Sequence, residues 1–382
     1  ELVKQKYRLK NTTGYGINAL LDFDDPIDIL THLMVGSEGT LGFISDVTLN
    51  TVPVHKHSAT GLYIFSNASV TASVIQQLSS KGVSAIELMD SRALNSVKSK
   101  LETCGLSGEI SAEQVGLLIE LTEDSCSDIK NKIHDVTEIL SSEILKSENL
   151  KPEKMELNIS FSQDKQIQAD LWNIRKGMFP IVGANRQVGT TVIIEDVAFT
   201  LEHLSDGIKG LTHLFEKHGY HDAIIFGHAL DGNMHFAFSQ SFNDENSVNT
   251  YQKFMADVVD LVAVELKGSL KAEHGTGRNM APFVETEWGE NAYSIMKKIK
   301  CLFDPKGILN PDVIISDDPE IHLKNLKPMP EVDDVVDKCI ECGFCESACP
   351  SKDFTLTPRQ RIAVQRRLTT LKQQPNSPQI TN

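Results

Sequence analysis

The chain has 382 residues, 40% of them apolar and 23% charged, with 37 Lys and Arg against 52 Asp and Glu for a net charge of −15. Such a length carries two or three domains of roughly 100–200 residues, and the composition is that of a globular protein rather than a disordered or fibrous one. The acidic balance excludes a tracker of nucleic-acid phosphates, which would need clustered cations, and no apolar run approaches the ~18 residues of a transmembrane helix.

Residues 1–55 are rich in Gly, Asn and Thr and end in a strand-like run, Gly42 to Leu49, ahead of Pro53. From about residue 60 to 310, short β-branched or apolar runs alternate with amphipathic stretches, the pattern of an α+β or α/β domain. The pattern predicts strands at Leu62–Phe65, Ala85–Leu88, Val115–Leu121, Leu157–Phe161, Thr191–Val197, Ala223–Gly227, Met234–Ala237 and Leu270–Glu273. Helices are expected at Asp164–Val182, Leu201–His218, Ser247–Leu266 and Asn291–Phe303, the last stopping at Asp304-Pro305 because a residue before proline avoids the helical region. Prolines 319, 328 and 330 and the acids Glu331, Asp333 and Asp334 mark a linker. Beyond it, Thr357-Pro358 has the form of a helix N-cap followed by proline at the first helical position, and the stretch to Gln373 holds five Arg or Lys and no acid. That stretch is a solvated helix or a docking face, and the basic run Arg359 to Lys372 raises the expectation of peripheral membrane association. Opening at Glu1 without Met and closing on a polar tail, the sequence reads as an internal piece of a longer polypeptide.

Four of the seven cysteines fall within eleven residues, as Cys339-x2-Cys342-x2-Cys345-x3-Cys349-Pro350. This is the run of bacterial ferredoxins, in which closely spaced thiolates wrap a [4Fe–4S] cluster and the proline turns the chain away. A zinc ribbon would separate two CxxC pairs by a dozen or more residues. In two-cluster ferredoxins the fourth cysteine of such a run serves the other cluster, so a second run is expected beyond Asn382 and one-electron transfer is the implied work. The low cysteine density elsewhere points to a reducing, cytoplasmic setting.

A second constellation begins at Ala223–Phe236, where an apolar run, Asp231-Gly232 and another apolar run read as a β-hairpin. With Asp231 and Gly232 at the centre of the turn, His228 opposes His235, close enough for both imidazoles to take one metal ion. Lys271 to Arg278 contains Glu273 and His274 just before two glycines and supplies the further donors. A His2Glu set with an open position suits catalytic Zn2+, and also Mn2+ or Fe2+; the plain alternative is a stacked pair of histidines across a turn.

The segments Gly36-Ser37-Glu38-Gly39-Thr40-Leu41-Gly42, Gly227-His228 through His235, Glu273-His274-Gly275 and Ile308-Leu309-Asn310-Pro311 together resemble the FAD-linked oxidase family of the vanillyl-alcohol-oxidase (VAO/PCMH) type. Arg175 to Pro180, Ile194-Glu195-Asp196-Val197 and the cysteine run with Thr357 to Arg361 resemble, within that family, bacterial D-lactate dehydrogenases fused to an iron–sulfur module. The resemblance implies an α+β chain in four parts: 1–55, the C-terminal part of an FAD-binding domain; 56–312, a ferredoxin-like α+β substrate domain; 313–335, a linker; and 336–382, an incomplete, small α-helical 4Fe–4S module. It implies Gly14, Glu38, Gly39, Gly42 and Ile44 beside the flavin nucleotide, with Asn310 near its ring. It also implies His228, His235 and Glu273 as ligands of a divalent ion (Zn or Mn), His274 as base and Arg175 as a fork for the substrate carboxylate. The implied reaction is oxidation of a D-2-hydroxy acid, D-lactate first, without nicotinamide, electrons leaving through the cluster to a quinone or cytochrome-type acceptor at the inner face of a bacterial membrane. D-2-hydroxyglutarate dehydrogenases of the family carry a substrate-binding Asn where this chain has Ala237, which argues against a dicarboxylate and leaves glycolate as a further alternative. Two readings of other classes stand beside it: a metallohydrolase using the His2Glu set on water, and a non-catalytic electron-transfer or scaffold subunit.

Overall fold

The computed structural model describes residues 1–106, 108–147 and 158–373. Its centre is one seven-stranded sheet, every pairing antiparallel, in the order β4-β1-β3-β2-β6-β7-β5. The strands are β1 (His57–Phe65), β2 (Ala85–Asp90), β3 (Val115–Glu123), β4 (Ile159–Ser162), β5 (Thr191–Ala198), β6 (Ile224–His228) and β7 (Asn233–Gln240). Helices Ala68–Ser79 and Cys126–Ser147 join strands of the first half, helix Lys165–Asn185 crosses to the second, and helices Leu204–His218 and Glu245–Val259 serve the second half.

Side chains alternate between the two faces of a strand, so each strand feeds two cores. One core takes Ile86 and Leu88 of β2, Ile225 of β6 and Met234, Phe236 and Phe238 of β7. The other takes Met89, Ile224, Phe226 and Ala237, covered by Leu171, Ile174 and Met178 of helix Lys165–Asn185. A third core sits apart from the sheet, where Tyr15, Ile17 and Leu41 of the N-terminal segment pack on Trp288, Tyr293 and Met296 of helix Val284–Phe303. Polar contacts stitch that segment down. Trp288 Nε1 donates to the Thr13 carbonyl at 2.7 Å, and Lys6 Nζ donates to the Gly268 carbonyl at 2.7 Å, 3.7 Å from the buried Glu287.

Seven of the eight expected strands form, Leu157 lying outside the described residues. Leu270–Glu273 is not one of them: the chain there makes a single bridge, Ser269 with Ala198, and then turns away. The run from Gly42 to Leu49 is also not a strand, because no described strand lies beside it to complete a ladder, and Phe43, Val47 and Leu49 stand exposed. The helix expected over Ser247–Leu266 ends as an α-helix at Val259 and continues as a π-turn over Asp260–Glu265. The one expected from Asn291 begins earlier, at Val284, with a break at Gly289, whose φ of 75° is left-handed.

The hairpin differs in register. A short 3-10 turn over Ala229–Asp231 followed by Gly232 connects β6 to β7, so the loop has four residues and His228 pairs with Asn233, not with His235. Gly232 has φ 63°, and a Cβ there would lie 1.8 Å from the Phe199 carbonyl oxygen. Gly232→Ala should therefore destabilise the chain by about 2–4 kcal/mol, from backbone strain plus a backbone clash, read as a lowered urea midpoint with unchanged slope.

Candidate metal and active site

The register of four neighbouring strands assembles the site on one face at one end of the sheet. Glu87 pairs with His228, while His235 pairs with Phe226 on one side and Asp196 on the other. A slip of two residues keeps a side chain on its own face, so His228 and His235 still meet, as diagonal rather than direct neighbours. Their rings stand edge to face with centroids 5.2 Å apart.

Glu273 and His274 come from the irregular segment after the Ser269 bridge, and one carboxylate fixes them. Asp196 Oδ2 accepts the backbone N–H groups of Glu273 at 2.6 Å and His274 at 2.8 Å, while Oδ1 accepts from Asn233 Nδ2 at 2.6 Å. So held, Glu273 Oε1 lies 3.2 Å from His228 Nε2 and 3.4 Å from His235 Nε2, and the His274 ring stacks on His235 at 4.8 Å and 8°. Glu273 Oε2 faces outward to Lys10 Nζ at 3.2 Å, which also reaches Asp231 at 2.8 Å.

Burial and donors set the charges. Desolvation alone would raise the Asp196 carboxyl, but His235, the two backbone N–H groups and Asn233 together hold it far below the ordinary carboxylate range. Glu87 is likewise pulled down despite desolvation, by His228 Nδ1 at 2.6 Å and by Arg175 Nε at 2.8 Å. The Glu87 hydrogen bond pushes the His228 imidazole up. Desolvation pushes His274 down, which favours the neutral imidazole that a proton acceptor needs.

Ligand atoms of Asp196, His235, Glu273 and His274 all lie within 4.8 Å of one another, and His228 joins them through the shared Glu273 oxygen. Imidazole and carboxylate donors around one point fit a divalent ion of the Zn2+ or Mn2+ kind. The structure thus brings together His228, His235, Glu273 and His274. Arg175 stands one step away, its guanidinium 4.5 Å above the Phe226 ring and bound to Glu87.

The expected flavin-side residues divide. Glu38 accepts from the N–H groups of Thr276 and Gly277, and Asn310 donates to the Glu38 carbonyl at 2.7 Å, so these two brace the loop that carries His274. Gly39 and Ile44 are exposed and Gly42 half-buried, whereas Gly14 is buried, where a Cβ would meet Met296 Sδ at 2.6 Å. The four cysteines are free thiols on the segment after the linker, Cys349 buried, Cys339 half-buried, Cys342 and Cys345 exposed. Free thiols at that spacing fit an iron–sulfur cluster by donor type. Among the described residues no helix is long and apolar enough to cross a membrane.

Sequence reasoning missed three members of the site. Glu87 is a buried acid flanked by Ile86 and Leu88 in β2 and Asp196 one of two adjacent acids in β5, and a carboxylate on a core-facing position is a signal worth pursuing. Lys10 leaves no such trace.

An antiparallel sheet bearing a His2Glu cage with a further imidazole beside it defines a candidate metal-assisted oxidoreductase or hydrolase site. The model of the FAD linked oxidases, C-terminal domain, matches residues 54–314, and the chain belongs to the FAD-linked oxidase family. It is 27% identical over 327 residues to a mitochondrial D-lactate dehydrogenase (cytochrome) of Kluyveromyces lactis, covering 84% of this chain and 51% of that protein. It is 24% identical over 291 residues to the glycolate oxidase subunit GlcD of Bacillus subtilis, covering 76% and 57%. A D-lactate dehydrogenase of Anaerostipes hadrus is 25% identical over 289 residues, covering 75% and 58%. The chain therefore spans between about half and three-fifths of the length of these relatives.

Asp196→Asn should cost about 2–4 kcal/mol in the metal-free protein at pH 7, because a buried carboxylate that accepts three hydrogen bonds becomes an amide facing two N–H groups. A carboxyl with a depressed folded pKa contributes stability that is complete above the unfolded value near 3.9 and lost as pH falls below it. Urea titrations of wild type and variant should accordingly keep a constant gap from pH 8 to about 5 and converge only in stronger acid.

Proposed function

We propose that this chain is part of a longer FAD-dependent dehydrogenase that oxidises a D-2-hydroxy acid, D-lactate to pyruvate being the leading reaction and glycolate and D-2-hydroxyglutarate the alternatives. The observation that carries the reading is the convergence of His228, His235 and Glu273 on one point with the His274 ring stacked on His235 beside it. Two of the relatives are named for D-lactate and one for glycolate oxidation, which supports the substrate class.

Oxidation of an α-hydroxy acid takes a proton from the hydroxyl and a hydride from the α-carbon. His274 receives the proton. His228, His235 and Glu273 would hold a divalent ion, which when bound supplies a Lewis acid for the hydroxyl and carboxylate oxygens. FAD, when bound, would supply the two-electron acceptor, and the exposed Gly39 and Ile44 and half-buried Gly42 are the residues proposed to line it. Arg175, fixed through Nε by Glu87, is the fork for the substrate carboxylate. Ala237 follows His235 by two residues on the same face and is buried without a polar group, which favours a short monocarboxylate over a dicarboxylate. Cys339, Cys342 and Cys345 would hold three corners of a [4Fe–4S] cluster and Cys349 would serve a second one; such clusters, when bound, would supply one-electron transfer toward a quinone or cytochrome-type acceptor. The basic helix Pro358–Gln373 supports a cytoplasmic protein resting on the inner face of a bacterial membrane.

The test is anaerobic addition of D-lactate to the full-length flavoprotein: the yellow colour should bleach, and chelation of the divalent ion should prevent it. His274→Ala should slow bleaching by roughly 10²–10⁴-fold with flavin content unchanged. Ordinary turnover in that variant would remove His274 as the base, and release of acid from an ester without change in flavin absorbance would favour a hydrolase.

A further inference from the structure

The helix that carries Arg175 ends at Asn185, and the next residue makes a contact that the site chemistry leaves unexplained. Arg186 spends all five of its N–H donors on backbone carbonyls. Two belong to its own neighbourhood: Nη1 donates to Gly183 at 2.8 Å and Nε to Thr190 at 2.9 Å. Three belong to the cysteine segment: Nη1 donates to Lys338 at 3.2 Å, and Nη2 to Asp337 at 2.7 Å and Cys339 at 3.0 Å. Beside this fork Ile340 seats on Gly183, where a Cβ would approach the Ile340 methyls to 2.5 and 2.6 Å.

The far side of the same segment is gripped as well. Arg366, buried in helix Pro358–Gln373, donates to the Cys339 carbonyl at 2.7 Å, to that of Val336 at 3.2 Å and to Glu341 at 2.9 Å. The buried Asp337 carboxylate accepts the N–H groups of Val332 and Asp333. Cys339 is thus the cysteine whose backbone is fixed from both sides, and Arg186 is the side that belongs to the catalytic body. Arg175 lies in helix Lys165–Asn185, which holds Pro180 in its interior, and Arg186 is the extended residue that follows it, so one element and its cap connect the candidate active site to the cysteine run.

We propose that Arg186, with Gly183, forms a latch that docks the cysteine segment on the catalytic body and makes the Cys339 corner the entry point for electrons leaving the site. The electron role rests on the flavin and iron–sulfur reading above; the latch does not. Arg186 is a positioning residue: it neither receives nor gives electrons, and reduced flavin is oxidised one electron at a time by the cluster, which is reoxidised by a quinone.

Hydrogen exchange read by mass spectrometry on the full chain tests the latch. Arg186→Gln removes three hydrogen bonds into the segment and should speed exchange at residues 337–345 at least about tenfold, with the sheet amides unchanged. Gly183→Val leaves the guanidinium intact and wedges Ile340 away, and should do the same. Wild-type exchange in both variants would overturn the latch. In the flavin- and cluster-loaded full-length protein, Arg186→Gln should leave bleaching by D-lactate unchanged and slow reoxidation by a soluble quinone about tenfold, equivalent to ~1.4 kcal/mol. A loosened segment with normal reoxidation would overturn the electron role while sparing the latch, and failure of the wild type to bleach would count against the proposed function and not against Arg186.

Discussion

A single buried carboxylate governs the arrangement of the site. Asp196 sits at the end of β5 beside His235, and its two oxygens accept the N–H groups of Glu273 and His274 and the amide of Asn233. Those two N–H groups belong to a stretch with no ladder of its own. Left unpaired, they would each forfeit a hydrogen bond in a partly buried place, so the segment is held where Asp196 can receive them. The acid thus does for an irregular loop what a neighbouring strand does for a regular one, and it converts a sheet edge into a four-donor pocket.

A second layer of support comes from outside the sheet. The N-terminal segment reaches the same loop through Thr12, whose N–H donates to the Lys271 carbonyl at 2.7 Å and whose hydroxyl accepts from Gly275 at 3.0 Å. Lys6 and Glu287 meet in the interior near Gly268, and Lys271 pairs with the buried Glu195 at 3.1 Å. Paired charges of this kind are poor sources of net stability, but breaking one partner leaves a buried charge, so they fix one arrangement of segment, loop and sheet. Through that arrangement Lys10 is delivered to Glu273 from a part of the chain that precedes the matched family domain.

Much of the strand pattern could be read from period-two alternation, because half-buried strands advertise their two faces. The errors are equally physical. The β6–β7 turn was expected to centre on Asp231-Gly232, but the close approach of Gly232 to Phe199 favours a four-residue loop, which no local rule announces. The histidine pair survived that error only because the slip was even; an odd slip would have sent His235 into the opposite core. Leu270–Glu273 looked like a strand because it alternates, and it is irregular because Asp196 and Thr12, not a strand, take its polar groups.

The sequence by itself determined the residue types with ligating and proton-accepting chemistry, His228, His235, Glu273 and His274, and the cysteine run, because their chemistry and spacing are local properties. Only the tertiary structure decided that Glu87 and Asp196 orient those groups, that Arg175 is tied to Glu87, and that Arg186 grips the cysteine segment. Each of these is a contact between residues far apart in the chain, made by strand pairing and core packing, and neither composition nor periodicity carries information about which distant partners a buried polar group will find.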